Sequence, residues 1–530
     1  MQIQSTIGYR VIHSWFIEKG LEPFAFQEET WQRMYEGHSG LVNAPTGCGK
    51  TFSVFLGAII DFINRHPEGY KKKSASGLQL LWVTPLRALA KDIGRAMEEV
   101  IRELGMSWKI GIRNGDTEPK EREKQKRQMP EVLLITPESL HLLIARKNYS
   151  EVFDSLRWIA VDEWHELLGS KRGVQVELAI SRLVGLRFST TGTRYTVELN
   201  PGAVAVHPLS VWGISATIGN LEQAREVLLS PIMQYPGATK GVKLNSGRSN
   251  PYSGTIVIAD IRKQILIQSI IPDEIEKYPW AGHLGIKLID KVIPIIQQSR
   301  TTLIFINTRG MSERWYQELL NASPDLAGAI ALHHGSVDMD LRIWVEEALH
   351  SGRLKAVVCT ASLDLGVDFR PVETVIQVGS PKGVARFLQR AGRSGHQPGE
   401  TSKIYFLPTH SLELVEAAAL KSSMQENVIE SREPRLLCFD VLIQWLSTLA
   451  VSDGFYPEDI FREIKSTFCY RDLSEEEWEE ILHFITEGGA ALQQYDEFKK
   501  VEIVDGLFRI LGRREAMRHR LHIGTIVSDS

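Results

Sequence analysis

Cysteine is scarce in this chain: its 530 residues include four, Cys48, Cys359, Cys438 and Cys469, with no CxxC spacing among them. That excludes a sequence-local zinc knuckle or four-thiolate iron–sulfur signature, and the four read as structural thiols. Long hydrophobic runs are lacking too. The greasiest stretch, Thr51 to Phe62, is broken by Asp61 and falls short of the ~18 apolar residues a membrane span needs. The opening MQIQSTIGYRVIHSWF has no charged head, apolar block and small-residue cleavage site in succession, so no secretory signal is read and the expected compartment is the cytoplasm. Charge of one sign is not in excess: 61 Lys+Arg against 65 Asp+Glu leave −4, so any surface for a polyanion has to be local.

What the chain does have is apolar content of 43% over a length sufficient for about three domains. Two blocks alternate short apolar β-rich runs with helical stretches, the pattern of a parallel sheet with helices on both faces. In the first block the predicted strands are Gly40–Ala44, Leu78–Val83, Val132–Thr136, Trp158–Val161 and Val211–Ser215. The second holds TTLIFINT, IALHHGS, LKAVVCTA, ETVIQVGS and SKIYFLP. A Gly/Ser/Asn/Pro-rich stretch at Gly237–Ser253 marks the expected crossing between them. Three helices follow, Cys438–Ala450, Pro457–Thr467 and Ser474–Glu487, with two trailing stretches, GAALQQY and VEIVDGLFRIL, read as a hairpin. The mixed-sign run Glu118–Gln128 reads as a solvated helix face.

GLVNAPTGCGKT at Gly40–Thr51 runs a strand into a glycine-bearing turn and a Lys-Thr pair that opens a helix. Backbone N–H groups at Thr46, Gly47, Cys48 and Gly49 would cradle phosphates, with Lys50 on the β/γ oxygens and the Thr51 hydroxyl toward Mg²⁺. WIAVDEWHE then delivers Asp162 and Glu163 at a strand's carboxyl end, where ligands of open α/β sheets bind. Asp162 would hold the metal's hydration shell, and Glu163 would orient and deprotonate the attacking water. The plain alternatives are a strand–turn–helix corner and a capping pair; the two elements together argue against both.

These residues resemble the superfamily 2 DExH-box helicases, with DEWH as the box, and the further motifs stand in that family's order. PFAFQ resembles the Q motif, TPLRALA and TPES motifs Ia and Ib, SAT motif III, FINTR motif IV, TASLDLGVDF motif V, and QRAGRSGH motif VI. The resemblance implies an α/β fold of two RecA-like lobes, 1–240 and 241–424, followed by a winged-helix-like domain over 425–530. It implies that Gln27 reads adenine, that Gly366 and Asp368 approach the nucleotide from the second lobe, and that Arg393 and Arg390 are arginine fingers. Gln389 would touch His165, and Ser215 and Thr217 would couple nucleotide to groove. His396 stands where relatives often carry a second finger, and a neutral imidazole supplies no such fixed charge. Thr84, Arg87, Thr136, Thr308 and Thr360, in motif loops, would contact phosphates without reading bases. Trp15, Phe16, Trp212, Trp280 and Trp344 are the aromatics that could stack on bases, none of them singled out.

Beyond the shared motifs, NAPTGCGKT, DEWHELLGSKRG, SATIGN, KYPWAGHLG, HHGS and SPKGVARFLQRAGRSGHQPG resemble the large-helicase-related (Lhr) group, in particular its bacterial ligase-associated branch. This implies an ATP- and Mg²⁺-dependent, monomeric 3′-to-5′ translocase on single-stranded DNA. It would unwind duplex or RNA:DNA hybrid in DNA repair beside an ATP-dependent DNA ligase and a nuclease. An RNA helicase, or a nucleotide-controlled clamp that does not move, are the other readings. The group continues past the winged helix, so the chain is expected to be a fragment.

Overall fold

The computed structural model describes residues 2–45, 47–72, 76–188, 209–216, 218–235, 254–261, 264–272, 285–364, 372–395, 401–426, 428–488 and 501–525. The first sheet has seven strands, β1 (Gly40–Asn43), β2 (Leu80–Val83), β3 (Ile110–Arg113), β4 (Val132–Ile135), β5 (Trp158–Val161), β6 (Ser210–Ser215) and β7 (Thr255–Ile258). Their order is β3-β4-β2-β5-β6-β1-β7, all parallel. The inner strands are short and apolar because both faces are covered. Leu41, Leu81, Leu133, Ile159 and Val211 enter one core, while their neighbours Val42, Trp82, Leu134, Ala160 and Trp212 enter the opposite one, as the two-residue pleat requires.

The second sheet is built from β8 (Ile265–Ser269), β9 (Thr302–Ile306), β10 (Ile330–His333), β11 (Ala356–Cys359), β12 (Thr374–Val378) and β13 (Ser402–Leu407). It runs β10-β11-β9-β12-β13-β8. One predicted boundary moves. β7 pairs with β1, Gly40 opposite Thr255, so the first lobe passes the expected limit at 240 and the chain crosses to the second sheet between β7 and β8. The whole of the expected crossing, 237–253, lies outside the described residues.

The three predicted helices are present as Phe439–Val451, Pro457–Lys465 and Glu475–Glu487. The hairpin lies within VEIVDGLFRIL alone, β14 (Glu502–Val504) against β15 (Leu507–Arg509). Asp505 and Gly506, at φ 54° and 79°, form its tight turn, as an Asp-Gly pair favours; GAALQQY lies outside the described residues. Among the described residues this domain shares its core with the first lobe. Trp445, Leu446, Phe468 and Tyr470 join the first lobe's apolar cluster; His141 and Trp445 rings lie 4.6 Å apart, and Arg182 pairs with Glu463 at 2.6 Å. The charged run forms the helix Pro119–Arg127, which buries Gln125. Among the described residues no helix is long and apolar enough to cross a membrane.

Candidate nucleotide and nucleic-acid sites

Six residues separate the end of β1 at Asn43 from the start of the helix Lys50–Arg65, so the turn between has to fold tightly. Gly47 and Gly49 supply it at φ 84° and 71°, a region other L-residues disfavour. Lys50 is 9% exposed, and its Nζ is buried without a hydrogen bond among the described residues. An ammonium so placed has the Glu163 carboxylate as a charged neighbour but no acceptor in hydrogen-bond contact, and a phosphate oxygen is what such a loop is shaped to hold. Cys48 is buried beside it and Thr51 half-buried; Thr46 lies outside the described residues. The Gln27 amide is tied to the loop: its Oε1 accepts from Phe24 N at 2.9 Å, and its Nε2 donates to Gly49 O at 3.0 Å. It therefore braces the cradle with one donor and one lone pair left over.

Asp162 and Glu163 follow β5 and are both buried. Asp162 Oδ1 accepts from Glu163 N at 2.8 Å, and Oδ2 from Trp82 Nε1 at 3.3 Å. Burial, then the Glu163 charge, raises its pKa. Glu163 keeps its charge: burial opposes ionisation, but Lys50, His165 and Arg393 outweigh it and lower its pKa. Its Oε2 is buried with no hydrogen bond, and its backbone sits at φ 48°, a strained conformation that persists only where surroundings enforce it. Lys50 and Glu163 thus present two buried groups of opposite sign, within electrostatic reach of each other and each with an atom that has no hydrogen bond among the described residues.

His165 is neutral, since burial lowers its pKa to about 4. Its Nδ1 accepts from Ala216 N at 3.2 Å, linking the acid box to SAT, and its Nε2 faces Glu166 at 3.8 Å. The expected Gln389–His165 contact is not among the hydrogen bonds of the described residues; Gln389 is buried on the helix Val384–Ala391. Ser215 is buried, its carbonyl accepting from Ala44 N at 3.1 Å. Asn43 Nδ2 reaches Ala216 O at 2.6 Å. Thr217, Gly366, Asp368 and His396 lie outside the described residues.

Arg393 comes from the second lobe, yet its charge acts on Glu163 across the cleft; its Nη2 donates to Asp364 O at 2.9 Å. Arg390 is different and is not placed as a finger. Its guanidinium grips Asp364 with Nε at 2.7 Å and Nη2 at 3.0 Å, donates Nη1 to Gln377 at 2.6 Å, and lies over the Phe305 ring. With Arg390 only 2% exposed, Arg390→Ala should cost about 3–5 kcal/mol by leaving the buried Asp364 carboxylate with only the longer Arg386 contact at 3.6 Å. Urea unfolding checks this; an unchanged midpoint would contradict it.

Among the expected strand contacts, the Thr84 and Thr136 hydroxyls are buried, and Thr136 donates to Ser139 Oγ at 3.1 Å. Thr308 is exposed and caps the helix Arg309–Ala322, Thr360 is half-buried, and Arg87 is exposed and paired with Asp116 at 2.6 Å. Trp15, Phe16 and Trp212 are core, Trp344 is exposed, and Trp280 is outside the described residues. Sequence reasoning missed Arg172, which joins motifs Ia and Ib by donating to Pro85 O at 2.8 Å and Glu138 Oε1 at 2.6 Å. It also missed Arg113, at the carboxyl end of β3. Arg113 is 5% exposed, and burial followed by Arg146 and Arg122 lowers its pKa to about 10. Its Nη1 and Arg122 Nε are buried without hydrogen bonds. Only the strand-end position hinted at this cluster.

Two RecA-like lobes with a phosphate loop and acid box on one and an arginine from the other define a superfamily 2 helicase. The DEAD/DEAH box helicase family matches residues 24–224, the helicase conserved C-terminal domain 286–397, and the winged helix domain of the large helicase-related protein 422–530. The chain is similar to the Lhr family of these helicases. It is 30% identical over 511 residues to ATP-dependent helicase Lhr-Core protein 2 of Thermococcus barophilus, covering 94% of this chain and 55% of that protein. It is 29% identical to Lhr-Core of Methanothermobacter thermautotrophicus, covering 98% and 58%. The solved structure of Mycobacterium smegmatis helicase Lhr bound to ssDNA and AMP-PNP is similar at TM-score 0.78 and 27% identity, over 99% of this chain and 63% of that one. The chain thus spans about half the length of the curated relatives it matches.

Proposed function

We propose that this chain is an ATP-driven translocase on single-stranded DNA, moving 3′ to 5′ and separating duplex or RNA:DNA hybrid. The observation that carries the reading is that Lys50 Nζ and Glu163 Oε2 are both buried without a hydrogen bond among the described residues, while the Lys50 and Arg393 charges hold the Glu163 pKa down. Phosphoryl transfer to water needs positioning and charge placement more than covalent chemistry. Lys50 and the loop N–H groups hold the triphosphate, Glu163 takes the water's proton, and Arg393 stabilises charge on the transferring oxygens. Asp162 and Thr51 fit a Mg²⁺ ion, which when bound neutralises phosphate charge. Because Arg393 sits on the other lobe, turnover demands closure, and closure is the step that moves the strand. The similar Mycobacterium smegmatis helicase was solved with ssDNA and AMP-PNP, which supports both ligands. The reading extends to a monomer acting in the cytoplasm in DNA repair, with an ATP-dependent ligase and a nuclease as partners, as the sequence resemblance to the ligase-associated branch suggests.

The test is ATPase rate with no nucleic acid, with single-stranded DNA and with matched RNA, followed by displacement of streptavidin from either DNA end. Steep stimulation by DNA and displacement from the 5′ end are expected; stimulation by RNA alone, or no displacement, would contradict the proposal. Arg113, Arg122 and Arg146 are read as a phosphate contact beyond the Ia–Ib loops. Arg146→Gln should weaken DNA binding equally for all base sequences and reduce the slope of log K against log salt by about 0.7, measured by fluorescence anisotropy. An unchanged slope would remove the cluster from the strand path.

A further inference from the structure

Residues 428–438, between the second lobe and the winged helix, form no helix or strand, yet they contact three motif loops. Gly219 N donates to Glu430 O at 3.2 Å. Asn220 clasps Arg432 from both sides, Nδ2 to its carbonyl at 2.9 Å and Oδ1 from its N–H at 2.9 Å. Arg432 approaches Glu166 at 3.8 Å, and Arg435 Nε donates to Gly169 O at 3.0 Å. These are all first-lobe partners, flanking the acid box and SAT.

The other side of the same segment holds the second lobe. The Glu430 carboxylate accepts from Val384 N at 3.1 Å and from Ala385 N at 3.1 and 3.2 Å, the first two N–H groups of the helix Val384–Ala391. Those groups have no partner within the helix, and a carboxylate there also complements the helix dipole. This helix leads to Arg393 two residues past its end. Three glycines make room for the segment. A Cβ on Gly169 would lie 2.6 Å from Glu433 O, on Gly219 2.2 Å from Ile429 O, and on Gly383 2.3 Å from Glu430 Oε1. They belong to DEWHELLG, SATIG and SPKG, sequence that extends beyond the motifs all such motors share.

We propose that segment 429–435 is a strap that fixes the arginine-bearing helix relative to the acid box, with Glu430 as a positioning residue for Arg393. The strap also joins the winged helix to both lobes, so lobe closure and winged-helix placement are one movement. The inference rests on the ATPase reading above.

The test uses the full chain. Glu430→Ala should lower the DNA-stimulated kcat about five- to tenfold, the size of a lost charged cap, with KM for ATP and the thermal midpoint near wild type. Glu430→Gln, which keeps an acceptor, should recover most of the rate. Asn220→Ala, which removes two of the strap's bonds to the first lobe without touching the helix Val384–Ala391, should lower kcat in the same manner. Unchanged kcat in both alanine variants, or a loss tracked by melting or by KM, overturns the strap. A wild-type chain without DNA-stimulated ATPase overturns instead the reading it rests on.

Discussion

Replacing Glu163 by glutamine is expected to lower ATP turnover by about 10²–10⁴-fold while leaving ATP affinity near wild type. The two acids after β5 are adjacent in sequence, but their surroundings divide the work. Asp162 is pinned by Trp82 Nε1 and by Glu163 N and is pushed toward protonation by burial and by its neighbour; a metal at this position would restore its charge. Glu163 stays ionised beside Lys50 and has an unsatisfied oxygen, as a base awaiting a proton should. Glutamine preserves the shape and removes the proton acceptor. Single-turnover hydrolysis separates the steps: loss confined to the chemical step is expected, and normal turnover would displace Glu163 from the role.

Arg393→Ala should remove about 10³–10⁵ of the stimulated rate, the range a transition-state arginine supplies. Its Nη2 donates to the backbone carbonyl of Asp364, and its charge helps hold the Glu163 pKa down. Arg393→Lys should rescue little, because an ammonium lacks the planar fork. The contrast with Arg390→Ala, which should destabilise the second lobe, separates the two arginines in one pair of experiments: ATPase rate and urea midpoint. A folded Arg393→Ala variant with full activity would contradict the assignment.

Much of this was legible in the chain. The fully apolar strands such as LLWV, VLLI and WIAV can sit only in a covered parallel sheet, and the turns after them carry chemistry because that is where ligands reach such sheets. What escaped notice depends on tertiary contacts. β3 is an edge strand with an alternating pattern, IGIR, ending in arginine, and β7 returns to β1 after a long intervening stretch. Motif VI presents two arginines three residues apart, and nothing local says that Arg390 turns inward to Asp364. Threonines that favour strand ends and caps look alike in sequence whether their hydroxyls face solvent or, like Thr84, the core. The strap has no periodicity at all; its signature is three glycines in distant motifs, intelligible only once the segment lies against them.

The most direct measurement is the structure of the chain with a non-hydrolysable ATP analogue and single-stranded DNA. It should find Lys50 Nζ and the Arg393 guanidinium on oxygens of the same triphosphate, with Glu163 facing the terminal phosphorus across one water. A nucleotide held by the first lobe alone, with the Arg393 side chain turned away from it, would contradict the two-lobe account.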